Sequence, residues 1–200
     1  MEHRPELDAS TFPPAEDIAE IVLTERQIAD RVAALGAKIA ADYADRDPLL
    51  VAVLKGSMIF VADLIRAIPI SVEVDFLAVS SYGAATKSSG VVRIVKDLDQ
   101  DVSGRDVILV EDIVESGLTL RYLLDHLAGQ QAASVATCAL LVRDGAQPED
   151  LDLSVEYAGF ELQPGFVIGY GLDVAQRYRN LPYIATYAHT DAAVPRSARH

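Results

Sequence analysis

The chain has 200 residues, half of them hydrophobic, with acidic and basic residues interspersed. That composition excludes a disordered or fibrous chain and suits one compact domain that buries a full core without staples. A formal net charge of -13 and a pI of about 4.6 argue against nucleic-acid binding as the main activity, which needs a basic footprint.

Residues 1–15 read as a flexible N-terminal tail closed by Pro13 and Pro14, followed by a single domain over 16–188 and a flexible C-terminal tail over 189–200. "MEHRPELDAS" has no apolar stretch of the secretory kind, and no apolar run approaches ~18 residues. The expected setting is the cytoplasm, with no membrane partner. "DIAEIVLT" is a candidate short strand; Thr24 with Gln27 has the pattern of a capping box, and Ile28, Val32, Leu35 and Ile39 then recur at helical spacing. Pro48 breaks the helix, and "LLVAVL" reads as a fully buried strand.

After Gly56 and Ser57 comes the helix "MIFVADLIRAI", then the strand "SVEVDFLAVSSYG", the loop "AATKSSG" and the returning strand "VVRIVKD". "RDVILVED" is the next buried strand and "LTLRYLLDHLAGQ" its helix. "SVATCALLV" is a further strand, with Cys138, the only cysteine, as a small core hydrophobe that has no disulfide partner in the chain. "RDGAQPEDLD" is a turn-rich connection, and "GFVIGYGLD" and "LPYIATY" close the domain. Strands too apolar to have a wet face, alternating with helices, predict an α/β fold with a mainly parallel twisted sheet flanked by helices.

In such sheets ligands bind beyond the carboxyl ends of the strands, so polar clusters that follow apolar runs carry the chemistry. Three exist: "LKGS" after "LLVAV", "EDIVESGLT" after "VILV", and "GYGLD" after "FVI". In the second, Ser116, Gly117, Leu118 and Thr119 sit where a loop becomes a helix, and free backbone N–H groups with the helix dipole stabilise a phosphate there. Glu111 and Asp112, as oxygen acceptors, suit sugar hydroxyls or Mg2+. A phosphate turn beside an acid pair fits a phosphorylated ribose. The plainer alternative is that Ser116 caps the helix and the acids complement its dipole. It does not explain two adjacent acids before the loop and Glu115 within it.

"VILVEDIVESGLTL" resembles the phosphoribosyl-pyrophosphate signature of type I phosphoribosyltransferases. "LLVAVLKGS", "AVSSYG", "KDLDQDVSGRDVILVED" and "FVIGYGLDVAQRYRNLPYI" follow, in that order, the pattern of the hypoxanthine–guanine phosphoribosyltransferases, over about residues 17 to 187. The resemblance implies the type I phosphoribosyltransferase fold, with a small hood formed by the terminal segments. It implies that Glu111 and Asp112 contact the ribose hydroxyls directly or through Mg2+, and that residues 116–119 hold the 5-phosphate. Lys55 and Gly56 would form the pyrophosphate loop, in which the Leu54–Lys55 bond is cis in relatives. Phe166 would stack on the purine, the main chain at Val167 would read its edge, Asp173 would hold a second Mg2+, and Arg179 would bind pyrophosphate. Ser81 and Tyr82 would belong to a loop that closes over the reacting centre.

Each of these residues has a structural alternative: a solvated lysine for Lys55, core packing for Phe166, a helix N-cap before "VAQRY" for Asp173, and a plain hairpin connection for "SSYG". Two departures from the family stand out. Glu115 replaces the aspartate that relatives use as general base at purine N7. Arg143 replaces a lysine that donates to the purine 6-oxygen; otherwise Arg143 points to solvent.

The implied reaction moves a 5-phosphoribosyl group from phosphoribosyl pyrophosphate to N9 of a 6-oxopurine, hypoxanthine or guanine, giving IMP or GMP and pyrophosphate in purine salvage. The implied assembly is a homodimer or homotetramer, to which "MIFVADLIRAI" is a candidate contributor. Two other readings are a phosphoribosyl-pyrophosphate-binding regulator or low-activity paralogue, motivated by Glu115 and Arg143, and a phospho-acceptor domain using Asp112. The second lacks a reason for "SGLT" directly after its acids.

Overall fold

The computed structural model describes residues 15–81, 92–143 and 154–189. Both expected tails, apart from Ala15 and His189, lie outside these residues, as do Tyr82 and the loop "AATKSSG". After a short 3-10 turn at Ala15–Asp17, the elements are β1 (Ile18–Leu23), α1 (Glu25–Asp42), β2 (Leu49–Leu54), α2 (Met58–Ala67), β3 (Glu73–Ser81) and β4 (Val92–Lys96). They continue with β5 (Asp106–Val114), α3 (Leu118–Gly129), β6 (Ser134–Arg143), β7 (Tyr157–Leu162), β8 (Val167–Ile168) and β9 (Ile184–Tyr187).

Six strands form the main sheet in the order β4-β3-β2-β5-β6-β7, parallel except for β4, which returns antiparallel to β3. The two faces carry separate cores. Leu50, Ala52, Ile108, Val110 and Leu140 pack on one face against α1 and α2, while Leu49, Val51, Leu109 and Ala139 pack on the other against Leu120, Leu123 and Leu127 of α3. Residues one apart on a strand face opposite ways, so strands buried on both sides must be apolar throughout. Cys138 is fully buried, and burial pushes its thiol far above the ordinary range, as expected of a core residue.

The α1 start is a complete capping box: the Thr24 hydroxyl accepts from the Gln27 N–H and the Gln27 side chain accepts from the Thr24 N–H at 2.9 Å. The expected hood exists as a second, antiparallel sheet in the order β1-β9-β8. Tyr178 donates to Asp17, and His189 lies 3.0 Å from the same carboxylate, so the turn before β1 is tied to the residues that follow β8 and β9.

Three local expectations change. The strand read as "RDVILVED" runs on past its acids: β5 continues to Val114, and Glu111 pairs with Ala139 of β6. "YAGFEL" forms β7, the sheet's edge strand, where Gly159 and Glu161 interrupt the apolar pattern. "VAQRY" is not a helix: Val174 and Arg177 close a tight turn in which Ala175 and Gln176 have φ of 53° and 64°.

Candidate active site

The carboxyl ends of β2, β3, β5 and β6 and the segment after β8 surround a cleft of about 840 Å3. On its floor lies the acid pair. Glu111 is only 6% exposed, and its carboxyl is pushed well up by burial and then by the charge of Asp112. Among the described residues no hydrogen bond supports its carboxylate. Asp112 is raised by burial too, against opposing pulls from the Ile113 N–H, which it accepts at 3.0 Å, and from Arg179. Asp112 sits directly over Gly56: a Cβ on Gly56 would lie 1.5 Å from Asp112 Oδ2. Only a glycine fits there, which explains "KGS". The Leu54–Lys55 peptide before it is cis, and Lys55 is exposed and lines the cleft. Ser57 is buried and donates to Val53 O at 2.6 Å, which fastens the loop to its strand.

On one side the chain leaves β5 through Glu115 and Ser116 and enters α3 at Gly117. Gly117 is the N-cap residue, in a left-handed conformation (φ 72°), with no side-chain cap hydrogen bond. Ser116 therefore does not cap the helix, and the capping alternative fails. The first intrahelical bond runs from Arg121 N–H to Gly117 O, so the N–H groups before it are open to an anion, as the dipole favours. Ser116, Gly117 and Thr119 line the cleft, while the Leu118 side chain points away and is 44% exposed.

On the opposite side stand Phe166 and Val167. Phe166 is 43% exposed, with its ring edge-on to Tyr187 at 6.2 Å, and its carbonyl accepts from the Tyr187 N–H at 2.9 Å. It is not a core residue but an open ring held by the hood. Val167 is buried behind it. Tyr170 donates to Asp63 of α2 at 2.6 Å and anchors this segment.

Asp173 and Arg179 meet at 2.6 Å, and Arg179 also donates to Gly171 O at 2.7 Å. Asp173 accepts from the Gln176 N–H at 2.8 Å, which fixes a turn, so the helix-cap alternative does not hold. Arg143 does not point to solvent. Its side chain is 15% exposed and donates to Glu115 Oε1 through Nε at 3.1 Å and Nη2 at 2.8 Å.

Among the described residues, the cleft brings together the expected site residues except Leu118. Ser81 ends β3 opposite Val92, and Tyr82 lies outside the described residues. Sequence reasoning missed Gly171, whose added Cβ would meet Gly56 O at 2.0 Å, and the backbone oxygens of Gln163 and Gly165, which hold Arg143. The glycines of "GYGLD" were a signal for the first; backbone acceptors leave no mark in a sequence.

Among the described residues, no three His, Cys, Asp or Glu side chains gather as a ready metal cage. The acid pair nonetheless fits a hard divalent cation: two adjacent carboxylates, one buried without a donor, offer oxygen ligands whose repulsion a cation relieves. Mg2+ usually takes one or two carboxylates and completes its shell with water and substrate phosphate. No helix among the described residues is long and apolar enough to cross a membrane.

Residues 19–175 match the model of the phosphoribosyl transferase domain. The hypoxanthine-guanine phosphoribosyltransferase of Mycobacterium avium is 50% identical over 176 residues, covering 85% of this chain and 86% of that one. That of Bacillus subtilis is 47% identical over 84% of this chain and 92% of its own. A crystal structure of a hypoxanthine phosphoribosyltransferase from Staphylococcus aureus superposes with a TM-score of 0.83 at 37% identity, covering 91% of this chain and 96% of that one. The chain belongs to the phosphoribosyl transferase family, in its hypoxanthine-guanine branch.

Proposed function

We propose that this protein is a purine salvage enzyme that transfers the 5-phosphoribosyl group of phosphoribosyl pyrophosphate to N9 of hypoxanthine or guanine, releasing pyrophosphate and giving IMP or GMP. The observation that carries the reading is the joining, in one cleft, of an uncapped helix N-terminus, a buried acid pair and an open aromatic ring. These match the phosphate, the ribose hydroxyls and the purine of a single nucleotide.

In this reading the open N–H groups of α3 with Ser116 and Thr119 hold the 5-phosphate. Glu111 and Asp112 accept from the ribose hydroxyls and, with Asp173, would hold Mg2+. When bound, that ion supplies positive charge to the diphosphate oxygens. Lys55, Gly56 and Arg179 bind the pyrophosphate, and an arginine fork suits an oxyanion of that shape. Phe166 stacks on the base, the Val167 main chain reads its edge, and Arg143 donates to its 6-oxygen. Glu115 accepts the purine proton. Bond breaking to pyrophosphate precedes bond making to N9, so positioning and preset charge carry most of the rate. Ser81 and Tyr82 join the segment that closes over the cleft and excludes water. The setting is the cytoplasm and the assembly a homodimer or homotetramer, which sedimentation measures directly.

Steady-state assays with hypoxanthine, guanine, xanthine and adenine, with Mg2+ present, test the reading; failure to turn over any 6-oxopurine rejects it. A second reading, a phosphoribosyl-pyrophosphate-binding regulator, draws on the ion pairs that engage both Glu115 and Arg179. Tight diphosphosugar binding by calorimetry without purine turnover would select it.

A further inference from the structure

Arg143 closes β6 opposite Leu162 of β7, and its guanidinium reaches two parts of the cleft at once. Nε and Nη2 donate to Glu115 Oε1 at 3.1 and 2.8 Å. Nη1 donates to Gln163 O and Nη2 to Gly165 O, both at 3.0 Å, on the segment that leads directly into Phe166. Guanidinium has five N–H donors. These four bonds leave one, on Nη1, without an acceptor among the described residues.

The contact with Glu115 is side-on. Both bonds fall on Oε1, not one on each oxygen as in the usual two-oxygen fork, so Oε2 is left without a protein partner among the described residues. Glu115 is a 59% exposed side chain at the end of a strand, with one more rotatable bond than aspartate. Unheld, it would lose that freedom only on meeting substrate, at a cost in rate. A lysine could not make this set of contacts, since its donors share a single nitrogen and lack the planar fork.

Resting on the phosphoribosyltransferase reading, we propose that Arg143 is a positioning residue for Glu115, and that Glu115 and Arg143 form one coupled unit. The arginine compensates for the longer acid: it locks Glu115 with Oε2 free as acceptor, and ties this acceptor to the segment bearing Phe166. Oε2 is then set to accept from the N7–H of a 6-oxopurine stacked on Phe166. Glu115→Asp then breaks the lock and slows the enzyme, although aspartate is the shorter, more usual acid.

The test is a double-mutant cycle of Glu115→Asp, Arg143→Lys and the two together, read in kcat and in the KM values for hypoxanthine and phosphoribosyl pyrophosphate. Calorimetric affinity for IMP is measured on the same four proteins. Each single variant should lose kcat by about tenfold or more, with the KM for the diphosphosugar unchanged. The double variant should recover, its loss being at least about fivefold smaller than the product of the single losses, as coupled neighbours show. IMP affinity should show the same non-additivity. Multiplicative losses in both kcat and IMP affinity would overturn the coupling. So would a gain in kcat for Glu115→Asp alone. Absence of 6-oxopurine turnover in the unmutated enzyme would count against the proposed function instead, and the IMP cycle would then decide the coupling by itself.

Discussion

Two buried acids on the main sheet have nearly the same exposure and opposite surroundings. Asp75 on β3 is 4% exposed and Glu111 on β5 is 6% exposed. Asp75 accepts from the N–H groups of Phe76 at 2.7 Å, Asp99 at 2.8 Å and Gln100 at 3.1 Å, and Lys96 lies 3.7 Å away. Every part of its charge is met by the protein, and it fixes the turn after β4. Glu111 has no hydrogen-bond donor among the described residues, and its carboxyl is raised by burial first and then by the charge of Asp112. A buried charge left unmatched costs stability and persists where a ligand supplies the match. Asp75 has the surroundings of a fold-stabilising acid; Glu111 has those expected of the substrate-facing acid proposed above.

The largest separation between the two should come from Glu111→Gln. It removes a ligand for sugar or cation, so kcat/KM should fall by on the order of a hundredfold or more. The melting temperature should hold or rise, because an unmatched carboxylate has gone. The pH dependence should change as well. A carboxyl whose folded-state pKa is raised keeps its proton longer in the native state than in the unfolded chain. Its contribution to stability is complete below the ordinary carboxylate range and is lost as pH rises from that range through the raised folded value. Melting curves across that range should slope downward in the natural protein and less steeply in Glu111→Gln. Equal slopes would show that Glu111 is not the group responsible.

Gly56→Ala tests the packing around the same pair. The added methyl must displace Asp112, so activity should drop by about a hundredfold and stability by about 1–3 kcal/mol. Wild-type activity would mean that Asp112 is free to move without consequence. Asp75→Ala should show the reverse balance: a loss of about 2–4 kcal/mol in denaturant titration with kcat within threefold of normal. The smallest effect belongs to Thr24→Ala, far from the cleft, which removes the capping box for about 1 kcal/mol and leaves kinetics unchanged.

Much of this contrast was legible before any coordinates. Apolar runs marked β2, β5 and β6, helical spacing marked α1, and Thr24 with Gln27 marked its start. The unusual acids at 111 and 112, followed by "ESGLT", pointed to the cleft. What was hidden depended on partners distant in sequence. β5 continues through its acids because β6 offers it a parallel neighbour as far as Val142, and an isolated strand would not be expected to bury carboxylates. β7 is set by pairing to β6, which overrides a weak pattern in "YAGFEL". "VAQRY" has helical composition, but Asp173 and Arg179 close it into a turn. The inward course of Arg143 depends on two carbonyls 20 and 22 residues away.

A crystal structure with phosphoribosyl pyrophosphate and Mg2+ bears most directly on the assignment of the cleft. The 5-phosphate should lie within hydrogen-bonding distance of the main-chain N–H groups at the start of α3, with the ribose hydroxyls facing Glu111 and Asp112. A diphosphosugar bound elsewhere, with the N-terminus of α3 open and the acid pair untouched, would contradict it.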